Sequence, residues 1–292
     1  MMPPEAPLTS VVMVTYHTGE VLERAIAAVL GSTASVELVL VNNGNPPDVE
    51  LKLAARAKTE PRMVWLSSHG NVGFATACNL GAKAAKGKYL LLLNPDGLLK
   101  PNTIDRLLTH MRESDLKQPA MIGARLLDEQ GRDQRGSRRA LLTPLSASIE
   151  ALRMHRLFPR LRLNLHEEPI PASIAPIPAI SGAFMFLCAK DYWAIGGYDE
   201  GYFLHVEDLD LCLRFRRAGG EIYFAPDIAM THVGGTSEAT STFLEICKAK
   251  GFTRYFLNNF SSPRDIPLLT FLLPAIWLRA ALKCVGWRLR HK

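Results

Sequence analysis

Tyr89-Leu90-Leu91-Leu92-Leu93-Asn94-Pro95-Asp96-Gly97 runs a short apolar segment straight into an Asn-Pro-Asp turn that a glycine releases. An apolar run of this length, bounded by turn signals, reads as a core strand of a parallel sheet. Such a strand delivers the residues after it to the sheet's carboxyl edge, where open α/β folds bind ligands. Here the delivered group is the carboxylate of Asp96, behind a proline that fixes its own φ and restricts Asn94. A hard divalent cation takes one or two such carboxylates together with phosphate oxygens. A plain Asn-Pro-Asp-Gly turn with Asp96 in solvent accounts for the same residues, so the rest of the chain must decide.

Outward from this stretch, strands alternate with helices. Ser10–Tyr16 is a β-branched strand, and Val21, Leu22, Ala25, Ile26, Val29 and Leu30 lie on one face of a helix stopped by Gly31. Val36–Val41 predicts a strand, 48–58 a helix, Met63–Leu66 a strand and Phe74–Lys86 an Ala-rich helix. The pattern means βαβ units, a parallel sheet and right-handed crossovers. After a helix at 101–113, Met121–Leu127, Ala179–Cys188, Glu221–Ala225 and Ile228–Val233 read as strands, 189–195 and Glu207–Ala218 as helices. Residues 130–178 carry an arginine run and six prolines and read as a mobile excursion over the active face.

The turn after the first strand, Thr15-Tyr16-His17-Thr18-Gly19, lacks Gly-x-Gly-x-x-Gly, and no Walker loop occurs, which removes the main support for NAD-dependent or ATP-cleaving chemistry. At 292 residues, 48% hydrophobic and 21% charged, the chain can bury one large α/β core with an appendage. Its five scattered cysteines argue against a disulfide framework or a zinc cluster and for a reducing compartment. Met1–Ser10 has neither a basic n-region nor an apolar h-region, so no signal peptide is expected. The net charge of +6 is concentrated in residues 124–162, nine Arg against four acids, and in residues 279–292, five cations and no acid. With no nucleic-acid-binding motif and no basic face interleaved with aromatics, an anionic lipid surface or a diphosphate substrate suits this charge better than nucleic acid.

Three clusters fall at element ends: Asn94-Pro95-Asp96, the acidic Glu207-Asp208-Leu209-Asp210 that opens a helix, and His232 that closes a strand. Taken singly, Asp208 could merely cap its helix and His232 could be an ordinary loop histidine. Together with Val14-Thr15-Tyr16, Val41-Asn42-Asn43-Gly44-Asn45, Asn71-Val72-Gly73-Phe74-Ala75, Asn79-Leu80-Gly81, Ser181-Gly182-Ala183, Gly196-Gly197-Tyr198-Asp199-Glu200 and Phe203–Leu211, they form an ordered set. From about Val11 to Thr236 the chain resembles the inverting GT-A glycosyltransferases of family 2, and within them the rhamnosyltransferase-like branch.

The resemblance implies a GT-A catalytic domain over 1–236, a mixed, mostly parallel sheet flanked by helices, with 130–178 on the acceptor side and a helical appendage over 237–292. It implies that Asp96 and His232 hold Mg²⁺ or Mn²⁺ against the donor diphosphate. Asp208 would be the general base, with Glu207 as the fallback. Thr15, Tyr16, Asn42, Asn71, Gly73, Asn79, Asn94 and Gly182 would contact the nucleotide-sugar, dTDP- or UDP-linked. Trp193, Tyr198, Asp199 and Glu200 would lie on the acceptor side. Asn42 stands where the family usually has Asp; its amide oxygen can accept from a pyrimidine N3–H at the strength of an uncharged bond. The donor implied is dTDP-L-rhamnose, and the acceptor a glycan or a polyprenyl-diphosphate-linked glycan of cell-surface polysaccharide synthesis. The alternative is a nucleotide-sugar- or glycan-binding relative without turnover, to which Asn42 and Asn94 lend weight.

The tail contains thirteen residues, 266–278, of apolar character, then Arg279, Lys283 and further cations with Trp277 and Trp287. A spanning helix needs about 20 apolar residues, so the run reads as too short to cross a membrane. A helix lying in the interface of the inner face of a cell membrane accounts for the tryptophans and cations, and would make the protein cytoplasmic and peripheral. Packing on the domain, or on a second copy in a homodimer, is the alternative.

Overall fold

The computed structural model describes residues 8–113, 115–152, 162–234 and 241–290. Strands β1 (Thr9–Thr15), β2 (Val36–Asn42) and β4 (Tyr89–Leu93) are buried along their whole length, with β3 (Met63–Leu66) at the edge. Their side chains divide by parity, as a period of two requires. Val12, Val39, Leu90 and Leu92 enter one core, shared with helices α3 (Phe74–Ala84) and α7 (Glu207–Arg217). Val11, Leu38, Leu91 and Leu93 enter a second core beneath α1 (Val21–Leu30) and α4 (Thr103–Glu113). Burial of each such Leu is worth about 1.5–3 kcal/mol, so two cores on one sheet fix which edge faces which way. Helix α3 lies close on β1 because Gly81 has no side chain: a Cβ there would stand 2.4 Å from Val12 Cγ1.

The sheet order is β3-β2-β1-β4-β10-β6-β11-β5, completed by β5 (Gly97–Leu98), β6 (Ala120–Leu127), β10 (Phe184–Cys188) and β11 (Glu221–His232). Only β10 and β5 in that path run against their neighbours. The parallel strands therefore all end at one edge, and β4, leaving it, crosses over β10 and β6 to lay β5 against the end of β11. This is the mixed, mostly parallel sheet the sequence predicts.

Two strand readings are corrected. Ala179–Cys188 is not one strand: β9 (Ala179–Ile180) pairs with β7 (Arg138–Arg139), and Ser181–Ala183 turn the chain before β10. Glu221–Ala225 and Ile228–Val233 are not two strands but one, β11, with Pro226, Asp227 and Ile228 looped out of its pairing with β6. A bulge is where a strand tolerates a proline. Asp227 is caught there by Arg106 at 2.6 Å and His110 at 3.0 Å, both on α4. Within 130–178 the described residues also form α5 (Pro144–Ala151), capped by Thr143, and β8 (Ala175–Pro176) on β11.

The tail forms α8 (Ser241–Asn259) and α9 (Ile266–Arg290), antiparallel partners joined by Trp277 Nε1 to Thr253 Oγ1 (3.0 Å) and Lys283 to Glu245 (3.0 Å). Here the length judgement from sequence is overturned. The helix continues through Pro274 and past Arg279, so Ile266–Trp287, 22 residues, is long and apolar enough to cross a membrane, and only 17% of its apolar window is buried. Counting the apolar run only as far as the first charge ended it too early.

Candidate functional site

Leu93 ends β4 at the carboxyl edge, and the Asn94-Pro95-Asp96-Gly97 turn closes with Gly97 N–H donating to Asn94 O at 3.0 Å. Because β5 sets Gly97 opposite His232, Asp96 comes to rest beside that histidine, Oδ1 to Nε2 at 3.3 Å. Its other oxygen accepts from Gly234 N–H at 2.8 Å. Burial alone would raise the Asp96 carboxyl; the His232 hydrogen bond and charge and the Gly234 N–H outweigh it and hold the carboxyl below its ordinary value. The imidazole is gripped from behind by Gln134, whose Oε1 lies 2.7 Å from Nδ1 and whose Nε2 donates to His232 O at 2.6 Å. With Nδ1–H donated to the Gln134 amide oxygen, Nε2 faces Asp96 and Asn94 Nδ2 (3.1 Å): carrying a proton it donates to Asp96, and without one it turns a lone pair into the same space.

That arrangement fits a divalent cation. A metal-ligating histidine donates its second ring N–H to a carbonyl or carboxylate, which fixes the tautomer, as Gln134 does here. Among the described residues no cluster of three or more His, Cys, Asp or Glu forms a complete protein cage. Asp96 and His232 instead offer two donors, the pattern of a cation that keeps water and substrate oxygens in its other positions.

Helix α7 opens the second half. Its N-terminus is preceded by two residues in left-handed backbone, His205 at φ 71° and Val206 at φ 75°. For a β-branched residue that conformation is an outlier costing about 1–3 kcal/mol. Packing enforces it: Val206 is buried, and Gly251 of α8 lets that helix come so close that a Cβ there would stand 2.8 Å from His205 O. The turn aims Asp208 at the rim, where Oδ2 accepts from Gly182 N–H at 3.0 Å and pairs with Arg139 Nη2 at 2.9 Å. Oδ1 accepts from Leu209 N–H at 2.8 Å. Gly182 must be glycine, since a Cβ would stand 2.9 Å from Asp208 Cβ. Its neighbour Ala183 accepts from Asn94 N–H at 3.0 Å, so one three-residue turn ties Asp208 to the Asp96 loop.

Glu207 precedes Asp208 as the first residue of α7. It is buried, its Oε2 has no hydrogen-bond partner among the described residues, and burial followed by the charge of Asp208 pushes its carboxyl up to about 8. Both effects favour its uncharged form. Burial, with the charge of Lys248, pushes the neighbouring His205 down to about 4. Asp210 is buried; it pairs with Arg214 on its own helix (2.6 Å), accepts from Tyr202 OH (3.3 Å), and binds α7 to α8 through Asn259 Nδ2 (3.0 Å).

At the ends of β1 to β3, amides knit the loops. Asn45 Nδ2 donates to Thr15 O (3.0 Å) and Asn42 Oδ1 (2.7 Å), while its Oδ1 accepts from His17 N–H (2.8 Å). Asn42 Oδ1 also accepts from Asn45 N–H (3.0 Å), so the oxygen expected to meet a pyrimidine is engaged twice within the protein. Asn43 takes Val72 N–H (3.0 Å) and donates to Asn71 Oδ1 (3.1 Å), which also receives Gly73 N–H (3.1 Å). Gly73, at φ 87°, lets Phe203 approach, and Phe74 N–H donates to Phe203 O at 2.7 Å. Tyr16 is half-buried with its ring on His17.

Five expected contact residues, Asn79, Trp193, Tyr198, Asp199 and Glu200, lie on α3 and the 192–200 segment. Asn79 has its oxygen filled by Tyr192 OH (2.5 Å) and Tyr198 N–H (3.0 Å), and its nitrogen by Tyr198 O (2.8 Å) and Glu200 (3.0 Å). It therefore holds the 192–200 segment onto α3. Tyr198 is buried, and Asp199 pairs with Arg254 at 2.8 Å. Trp193 sits on α6 (Ala189–Ala194), which begins at the opposite edge, Ala189 N–H on Lys88 O at 3.0 Å. Arg139 and Gln134 are site residues that sequence reading missed. The arginine run was visible, but only β7–β9 pairing brings one of its members to Asp208.

A family model, "Glycosyl transferase family 2", matches residues 10–168. The N-acetylglucosaminyl-diphospho-decaprenol L-rhamnosyltransferase of Mycobacterium tuberculosis is 27% identical over 236 residues, 76% of this chain and 75% of that protein. The Rhamnosyltransferase WbbL of Escherichia coli K12 is 27% identical over 56% of this chain and 62% of its own. Among solved structures, GalNAc-T7 with UDP, GalNAc and Mn²⁺ superposes with a TM-score of 0.65 at 18% identity, covering 90% of this chain and half (50%) of that one. The mannosyltransferase PcManGT of Pyrobaculum calidifontis, with GDP-Man and Mn²⁺, gives 0.59 at 14% identity, covering 97% and 73%.

Proposed function

Because the chain belongs to glycosyl transferase family 2, we propose that it moves L-rhamnose from dTDP-L-rhamnose, with inversion, to a polyprenyl-diphosphate-linked glycan at a membrane surface. Nucleotide-sugar transfer is the family's reaction; the sugar and the acceptor are inferred here from the two rhamnosyltransferase relatives. The observation that carries the reading is the chain of contacts Asp208–Gly182–Ala183–Asn94–Asp96, which holds a free carboxylate face and an Asp–His pair on one rim.

Asp208 is the general base. As the acceptor hydroxyl attacks the anomeric carbon, the C–O bond to the nucleoside diphosphate breaks, and the hydroxyl proton passes to an Asp208 carboxylate oxygen. Arg139 and Gly182 N–H orient that carboxylate. Asp96 and His232 would hold Mg²⁺ or Mn²⁺, which supplies Lewis-acid neutralisation of the leaving diphosphate. Gln134 holds the imidazole lone pair in place for that purpose. Burial favours the uncharged form of Glu207, which limits the negative charge set behind Asp208. Helix α9 rests on the membrane or enters it, its outward Phe271, Leu278, Leu282 and Val285 facing away from α8.

A transfer and donor-hydrolysis screen across nucleotide-sugars, with and without Mn²⁺, tests the reading: dTDP-L-rhamnose should be consumed faster than the others, and only with the metal. The internal use of Asn42 Oδ1 favours one alternative, a binding relative without turnover. That alternative requires Asp208→Asn to leave cellular function unchanged.

A further inference from the structure

Away from the rim, α5, residues 162–167, α8 and α9 enclose a cavity of about 730 Å³, within the roughly 300–1,000 Å³ range of small-molecule sites. One wall is apolar, built by Phe252, Phe256, Leu272 and Ile276. The other is basic, built by Arg135, Arg162, His166 and Arg279. Glu150 pairs with Arg135 and Glu167 with Arg162, each at 2.9 Å. Glu167 also stands 4.0 Å from His166 Nε2, which leaves Arg162 Nε and His166 Nδ1 for another partner; Arg279 has no carboxylate partner among the described residues. Two nitrogens on the basic wall, Arg162 Nε and His166 Nδ1, are shut away from solvent without a hydrogen-bond partner among the described residues. Buried polar atoms left in that state lack a partner that should be there.

The cavity shares a strand with the catalytic rim. Asn164, which lines it, bridges to Arg139, and Arg139 holds Asp208. Helix α9 lines it with Leu272, Ala275, Ile276 and Arg279, and the same helix goes on to the exposed apolar Leu278, Leu282 and Val285.

We propose that this cavity binds a lipid headed by a phosphate or diphosphate. The anion sits on Arg162, His166 and Arg279, and the hydrocarbon chain lies against Phe252, Phe256, Leu272 and Ile276 before running out along α9. Free phosphate would satisfy the nitrogens but leave the apolar wall empty; a neutral amphiphile would do the reverse. The assignment deepens the transferase reading and rests on it for its purpose, since a headgroup held here lies one strand from Arg139.

The test uses the full chain and calorimetric titration with dodecyl phosphate below its micelle concentration, against inorganic phosphate and the neutral dodecyl maltoside. Dodecyl phosphate should bind at least about tenfold more tightly than either control, a difference of about 1.4 kcal/mol. Joint Arg162→Gln and Arg279→Gln should abolish that selectivity, and Ala275→Trp, which fills the cavity, should weaken dodecyl phosphate about tenfold. Equal binding of the maltoside, equal binding of inorganic phosphate, or variants that fold and bind as before would each overturn the proposal. Should a variant fail to fold, the selectivity of the unaltered protein still decides. Nucleotide-sugar turnover is followed separately: turnover without selectivity discards the cavity and keeps the transferase, whereas selectivity without turnover keeps the cavity and discards the transferase.

Discussion

The two halves of the rim are built on opposite principles. Around Asp96, sheet pairing sets the geometry and polar atoms are satisfied: β5 on β11 fixes Asp96 beside His232, and Gln134 and Gly234 complete the bonding. Around Asp208, the backbone passes through two left-handed residues, one oxygen of a neighbouring buried carboxyl has no partner among the described residues, and an arginine from a distant excursion holds the base. The first half resembles a socket ready for a ligand. The second stores cost, and stored cost at a turn that aims a carboxylate is what a group needing to change its charge during a reaction requires. The following predictions test that contrast from its strongest consequence downward.

Asp208→Asn keeps the shape and the hydrogen bond from Gly182 but removes the proton acceptor. Transfer should fall about 10²- to 10⁴-fold while donor binding is retained, measured by turnover and by nucleotide titration. Asp96→Asn should instead weaken metal-dependent donor binding. If both variants fail in the same way, the two halves do not divide the work as drawn here.

Glu207 should make the stability of the protein depend on pH. Its folded value of about 8 lies above its ordinary 4.5, so between these limits the folded state binds the extra proton and stability falls as pH rises. His205, at about 4 against 6.5, acts in the other direction, adding stability as pH rises from 4 to 6.5. Above pH 6.5 only Glu207 remains, facing Asp208 and Arg139 with Cys78 and Cys247 nearby. Urea unfolding should therefore lose on the order of a few kcal/mol between pH 6.5 and 8. Glu207→Gln, neutral throughout, should flatten the slope in that window.

On the socket side the effects are smaller. Gln134→Leu frees the back of the imidazole and should cost about 10- to 100-fold in Mn²⁺ affinity, the usual consequence of losing an outer partner of a ligating histidine. Folding should be little changed, because Gln134 is joined to the rim through His232. Metal titration of the variant checks this.

The same contrast explains what could be read from sequence. The sheet and the Asp96 socket follow from local signals: strand runs bounded by turns, and a loop whose proline announces it. Asp208 and His232 were legible through the family pattern. The break at Ser181–Ala183 was not, because Ala179–Cys188 has strand composition throughout; the turn is imposed by Asp208, which needs Gly182 N–H and tolerates no side chain there. Pro226 misled in the opposite sense, ending a strand that in fact absorbs it as a bulge. Arg139 and Gln134 reach the rim only through pairings distant in sequence, and Asn79, on α3, carries a family signature while spending its side-chain bonds on the 192–200 segment.

The smallest effect concerns Val206, where two contributions compete. Glycine at φ 75° removes a left-handed penalty of about 1–2 kcal/mol. It also gives up the burial of a valine, about 1.5–3 kcal/mol, and adds about 0.5–1 kcal/mol of unfolded-chain entropy. The balance predicts a net loss of about 1 kcal/mol for Val206→Gly, less than the 2 kcal/mol or more that a fully buried valine on ordinary backbone would cost. Thermal unfolding measures the net. A loss as large as that of a comparable core valine, such as Val39→Gly corrected for backbone entropy, would mean that the turn before α7 stores no strain. The difference drawn between the two halves would then rest on Glu207 and Arg139 alone.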